Sequence, residues 1–157
     1  MSAPLKRQGD VFVVSLSDQE RRVLLDLAQE LRDLLTQGDV DADPGLRRLY
    51  PPAFVDDAKR SAEFEQMVHE DLAAQRLAAV EDMQEVVEAR EATHEQVTGW
   101  LSAVNDLRLV LGTRLEVTEE TTDKDFAGDA KAAQVFGLYG WLSYLEERIV
   151  GELSKGT

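Results

Sequence analysis

The chain has 157 residues, of which 43% are hydrophobic, and its 31 acidic and 17 basic residues leave a formal net charge of −14. A chain of this length fits one domain that buries roughly 68–70% of its unfolded surface and needs no disulfide or metal to fold. The absence of cysteine excludes disulfide frameworks, cysteine-based zinc sites, thiol catalysis and thiol redox sensing, and the negative field disfavours free-standing binding to phosphate backbones.

Residues 1–10 read as a loose N-terminus. Lys6 and Arg7 are followed by no apolar run of the signal-peptide kind, and no stretch reaches the roughly 20 apolar residues of a membrane span. These features point to the cytoplasm. Residues 11–16 are rich in β-branched and aromatic side chains and predict a strand. A strand needs a partner, and residues 115–118 are the expected one. Ser17 and Glu20 have the spacing of a capping box. The helix that follows carries one apolar stripe through Leu24, Leu27, Ala28, Leu31, Leu34 and Leu35, and Gly38 is expected to end it.

Asp39 to Gly45 reads as an acidic turn. Pro51 and Pro52 then impose an extended segment over residues 47–54, whose Leu49, Tyr50 and Phe54 are expected to press onto the helices. Residues 57–90 predict one long helix, with a break near Leu77 as the alternative. Its stripe runs through Phe64, Val68, Leu72, Ala79, Met83 and Val86. Thr93 and Gln96 form a second capping box for a helix reaching about Leu115. Val97, Trp100, Leu101, Val104, Leu107 and Leu111 lie on one side of that helix, and Leu109 and Val110 make it apolar elsewhere, as befits a central helix. Residues 116–128 form an acidic loop. The last helix, residues 129–153, turns Leu138, Tyr139, Leu142, Leu145 and Ile149 inward, while Gly137 and Gly140 are small enough to let another helix approach. The expected fold is mainly α, a bundle of four or more helices with a small N-terminal strand element.

Little of the chain carries the marks of catalysis. Asp39, Asp41 and Asp43 have the alternate spacing of a calcium loop, but Pro44 stands where glycine is needed and Tyr50 where glutamate is needed. Glu91 and His94 have the E-x-x-H spacing of a di-iron bundle. The second pair that such a site requires is lacking, and Gln66 stands three residues before His69. No serine–histidine–aspartate pattern and no glycine-rich phosphate loop is present. The expectation is no enzyme, no cofactor and no metal.

The feature that asks for an explanation is Asn105, Asp106 and Arg108, followed by Gly112, Thr113 and Arg114, inside the most apolar helix. Buried charges must be paired. The structural reading is a network in which Arg108 or Arg114 is held by Asp71, Glu70 or Asp106. The functional reading is a recognition surface, to which Arg48, Tyr139 and Trp141 would contribute. Trp141 reads as core or, if exposed, as an interface anchor.

These same residues carry a resemblance. Trp100 and Leu101, the run from Asn105 to Leu109, and the run from Leu111 to Leu115 are similar to the hallmark segment of the actinobacterial oxidative-stress regulator (AosR) family. The run from Arg48 to Phe54, Glu63 with Phe64, Asp71 with Leu72, and Tyr139, Trp141, Leu142 and Leu145 match other parts of its pattern in order. The resemblance covers nearly the whole chain from about residue 11. It implies an actinobacterial cytoplasmic protein that regulates transcription in oxidative stress by binding an alternative sigma factor or another basic protein. The alternatives are a direct DNA-binding regulator, an adaptor linked to Clp proteolysis, and a metal-binding helical bundle. A homodimer is also allowed, through a strand edge or the two glycines of the last helix. Redox control in some members of the family is attributed to a cysteine pair near the N-terminus. Residues 2–10 of this chain contain none, so that sensing chemistry does not carry over.

Overall fold

The computed structural model describes residues 3–50 and 58–155, with only the backbone of residues 58–61. Pro51, Pro52 and Phe54 lie outside the described residues, so the expected extended segment is described only up to Tyr50.

The chain opens as a hairpin. β1 (Leu5–Gln8) pairs antiparallel with β2 (Val11–Val14), with Leu5 opposite Val14 and Gln8 opposite Val11. The two-residue turn is Gly9 and Asp10. Gly9 has φ +65°, a conformation that costs glycine little and suits a tight hairpin. β2 also pairs with β3 (Glu91–Ala92), giving the strand order β1-β2-β3. Two expectations are corrected here. Residues 5–8 are a strand rather than a loose start, and residues 115–118 are not the partner of β2.

Residues 115–118 instead terminate a helix. The main-chain N–H of Val117 donates to Gly112 O (2.9 Å) and that of Glu116 to Thr113 O (3.2 Å), the bonding of a Schellman cap. Glu116 takes the left-handed position, φ 55°, where glycine is usual. Glu116→Gly is therefore expected to stabilise the protein by about 1 kcal/mol, read as a higher urea midpoint with an unchanged slope.

Both capping boxes form. Ser17 and Glu20 bond reciprocally at the start of α1 (Asp18–Gln37), and Thr93 and Gln96 do so at the start of α4 (His94–Arg114). Gly38 is the residue after α1. The expected acidic turn contains a short helix, α2 (Pro44–Arg47), because Asp43 Oδ1 accepts from the amides of Gly45 (2.9 Å) and Leu46 (3.3 Å), and Pro44 needs no donor at its first position. α3 (Ala58–Glu88) is unbroken, about 46 Å long at 1.5 Å per residue. Ala79, Met83 and Val86 are buried along it, whereas Phe64 is 49% exposed, so the stripe enters the core only in the C-terminal half. The acidic connection holds a 3-10 turn, Asp123–Phe126, before α5 (Ala130–Ser154).

α4 packs against α3, α5 and α2, and α1 packs on α3. Trp100, Val97, Val104 and Leu107 of α4 meet Met83, Leu24, Leu31, Leu145 and Ile149 in one apolar core. This confirms α4 as the inner helix of a mainly α fold with a small N-terminal sheet. No helix among the described residues is long and apolar enough to cross a membrane.

The hairpin is tied to the last turn of α5. The Arg7 amide, on the outer edge of β1, donates to Glu152 Oε1 (2.9 Å), and the Arg7 guanidinium donates to Lys155 O. Lys155 Nζ lies 2.6 Å from Glu152 Oε2. Glu152 is buried, and its bond to Lys155, aided by the Arg7 amide, holds its carboxyl below the usual carboxylate range against the effect of burial. A carboxylate with a lowered folded pKa stabilises above its unfolded pKa, and that contribution is lost as pH falls through the folded value. Glu152→Gln is expected to cost about 1–3 kcal/mol at neutral pH. The difference from wild type should shrink in acid denaturant titrations.

Candidate functional site

The polar residues of α4 are distributed to three different neighbours. Asp106 is 2% exposed, and its Oδ1 accepts from Arg76 Nη1 of α3 at 2.5 Å. Arg76 Nη2 also donates to Leu49 O at 2.5 Å, so one guanidinium joins α3, α4 and the residue pair after α2. Asp106 Oδ2 and Arg76 Nε have no partner within the described residues. Burial pushes the Asp106 carboxyl above the usual carboxylate range, and Arg76 only partly opposes this. Beside the pair, Tyr50 stacks on His69 with ring centroids 4.1 Å apart. Burial also raises the Tyr50 hydroxyl, opposed by Arg76 and assisted by Asp106.

Arg108 turns to α5. Its Nε donates to Ser143 Oγ (2.9 Å) and its Nη1 to Glu146 Oε2 (2.7 Å), while its guanidinium carbon lies 5.5 Å from the centre of the Tyr139 ring. Tyr139 lies close against Gly112, where an added Cβ would stand 3.2 Å from Tyr139 Cε2. The glycine of the motif thus lets an aromatic ring lie against α4. Arg114 turns to α2 and donates to Asp43 Oδ2 (3.1 Å). Hydrogen bonds from Gly45, Leu46 and Arg114 outweigh burial and lower the Asp43 carboxyl.

The expected network therefore exists with different partners. Arg108 is held by Glu146 and Arg114 by Asp43, rather than by Asp71, Glu70 or Asp106. Of the residues singled out in the sequence, Arg108, Gly112 and Tyr139 come together. Asn105 and Thr113 are half-buried on α4, Trp141 is partly buried against the core, and Arg48 is exposed at the end of α2. Arg76 is the participant that sequence reasoning missed. Its only signal was a cation placed on a helix face, which does not distinguish it from its neighbours. Asp43 and Asp39 of the calcium-like spacing serve as a helix cap and as an acceptor for the Asp41 amide. Glu91 lies in β3 and His94 starts α4, so the E-x-x-H pair is divided between elements. Gly137 and Gly140 are exposed on α5, and a Cβ added at either would meet nothing within 4 Å.

A separate groove runs between α3 and α4. Ala78, Ala79, Gly99 and Ser102 are among the residues lining it, with Asp82 and Glu95 at its sides and a volume of about 490 Å³. Asp82 folds over Gly99, where a Cβ would come within 2.5 Å of Asp82 Cβ. Burial, with Glu85, Glu95 and Glu81 nearby, raises its carboxyl above the usual range.

A family model described as "Domain of unknown function (DUF2017)" matches residues 1–153. The chain is similar to the oxidative stress regulator AosR of Mycobacterium bovis and to that of Mycobacterium tuberculosis. Each is 29% identical over 167 aligned positions, covering 95% of this chain and 76% of the relative. A putative oxidative stress regulator AosR of Mycobacterium leprae is 34% identical over 135 positions, covering 83% of this chain and 55% of the relative. No solved structure matches the chain. With its inner helix carrying the segment that resembles those regulators, the chain belongs to the DUF2017 family.

Proposed function

We propose that the protein is a non-enzymatic regulator that works by binding a basic protein partner, in the setting of oxidative-stress transcription, with an alternative sigma factor as the leading partner. The observation that carries this reading is how the polar groups of the family segment are used. Asp106, Arg108 and Arg114 are each engaged with a neighbouring element, so they serve as struts between helices. The acidic surplus, a net charge of −14, remains outside the core and attracts basic surfaces such as those of proteins that bind nucleic acid. The names of the mycobacterial relatives support the regulatory setting. Without a cysteine, the chain would receive a redox signal through its partner.

The test is affinity purification of the full chain from an actinobacterial lysate at low and at physiological salt. Enrichment of a sigma factor or another basic transcription component is expected, and its strength should fall with salt. Failure to enrich any such protein at either salt contradicts the reading. A mobility-shift titration with duplex DNA is expected to stay flat at low salt, and a shift there would favour direct DNA binding instead.

A further inference from the structure

The outer face of α3 carries a second stripe, apart from the one that enters the core. Phe64 (49% exposed), Met67 (62% exposed) and the exposed Asp71 follow one another at intervals of three and four residues. With Arg60 four positions earlier, they fall within an arc of about 60° on a helix of 3.6 residues per turn. This is the spacing of a coiled-coil seam. The buried Val80, Met83 and Val87 lie on the opposite side. The neighbouring helices stop short of the stripe. α4 runs antiparallel to α3, with Asp106 against Arg76 and Gln96 against Glu85, so its end at Arg114 reaches only to about residue 68 of α3. α1 meets α3 at Gln84 and Val87 and ends at Gln37, further short still.

The charges along the stripe select its occupant. Arg60 and Asp71 stand equally far from a midpoint between residues 65 and 66, and so do Phe64 and Met67. Lys59 and Glu70 repeat the sign of the charge at each end. Asp71 has no ion-pair partner among the described residues. A basic segment laid along the stripe would meet repulsion at Lys59 and Arg60, and an acidic one at Glu70 and Asp71. A second copy of the same helix, inverted, meets opposite charge at both ends. We infer that two copies of the chain associate through this stripe as an antiparallel helix pair, with Phe64 of each copy lying on Met67 of the other and Arg60 of each pairing with Asp71 of the other. The seam is short and each copy carries a net charge of −14, so the dimer is weak and forms at micromolar concentration. This contact is separate from the capture of a basic partner, and either can fail without the other.

The experiment is sedimentation equilibrium of the full chain between about 1 and 300 μM, at about 0.15 M salt. A reversible monomer–dimer equilibrium is expected. Met67→Glu, on an exposed helix face, should leave the circular dichroism unchanged and raise the dissociation constant about tenfold or more. Arg60→Glu sets two carboxylates against each other at each end of the pair, and Asp71→Arg sets two guanidinium groups there, so each alone should also weaken the dimer. The two together exchange the charges and should restore a dissociation constant close to that of wild type. A chain that stays monomeric over the whole range overturns the inference. A dimer that ignores Met67→Glu, or a double charge variant as weak as the single ones, overturns it as well.

Discussion

Arg76→Ala is expected to destabilise the protein by about 3–5 kcal/mol, because it strands a buried carboxylate. Asp106 is 2% exposed and has Arg76 as its only ion-pair partner among the described residues, and Leu49 O loses a donor in the same variant. For a chain of this size, about 2–4 °C of melting temperature accompanies each kcal/mol, so a drop on the order of 10 °C is expected. The deficit should depend on pH. The Asp106 carboxyl already lies above the usual range through burial, and loss of Arg76 moves it further in that direction. A group with a raised folded pKa favours folding when protonated and opposes it once ionised. The Arg76→Ala deficit is therefore largest at neutral pH and diminishes on acidification, beginning above the ordinary carboxylate range. Replacing both partners by leucine should recover most of the loss, since a well-packed apolar pair substitutes for a buried ion pair without leaving a charge behind. A double variant as unstable as the single one would show that Arg76 matters for Leu49 O rather than for Asp106.

The second large effect is at Trp100. Its side chain is fully buried in the N-terminal third of α4, and Trp100→Ala is expected to cost about 3–5 kcal/mol through lost burial and the cavity left behind. Trp100→Phe separates volume from polarity. The indole Nε1 is buried without an acceptor among the described residues, so the phenylalanine variant removes an unsatisfied donor whose burial costs roughly 1–3 kcal/mol. That gain offsets part of the smaller cavity, and the net loss should stay below about 2 kcal/mol. Urea titrations of the three proteins test this. Equal losses for alanine and phenylalanine would mean that the indole N–H has a partner after all.

What the sequence revealed, and what it hid, follows from the range of each interaction. The helix starts at Ser17 and Thr93 were readable because a capping box closes within four residues. The inner position of α4 was readable because its apolar residues occupy most of its circumference. The N-terminal hairpin was missed although its signal was local. Lys6, Arg7 and Gln8 make β1 too polar for a strand pattern, yet Gly9 and Asp10 are the residues of a two-residue turn and place Gln8 opposite Val11. Residues 115–118 misled because Leu115, Val117 and Thr118 favour strands, whereas the hydrogen bonds of the Schellman cap are invisible in side-chain identity. The salt-bridge partners were the least legible part. Glu146 lies 38 residues from Arg108, and Asp43 lies 71 from Arg114. Among 31 acidic residues, only the packing of α4 between α5 and α2 decides which carboxylate each arginine meets. The groove was hidden for the same reason, since Asp82 and Gly99 come together only through the contact between α3 and α4.

The proposal that this protein acts by binding a basic partner is tested most directly by quantitative capture with a charge-reversed variant, Asp82→Lys with Glu95→Lys, beside wild type. At physiological salt, wild type should enrich a sigma factor or another basic transcription protein, and the reversed variant, folded by circular dichroism, should lose it. Failure of wild type to enrich any such protein, or its enrichment of acidic proteins and free DNA instead, would contradict the account, whereas equal capture by both proteins would place the contact away from Asp82 and Glu95.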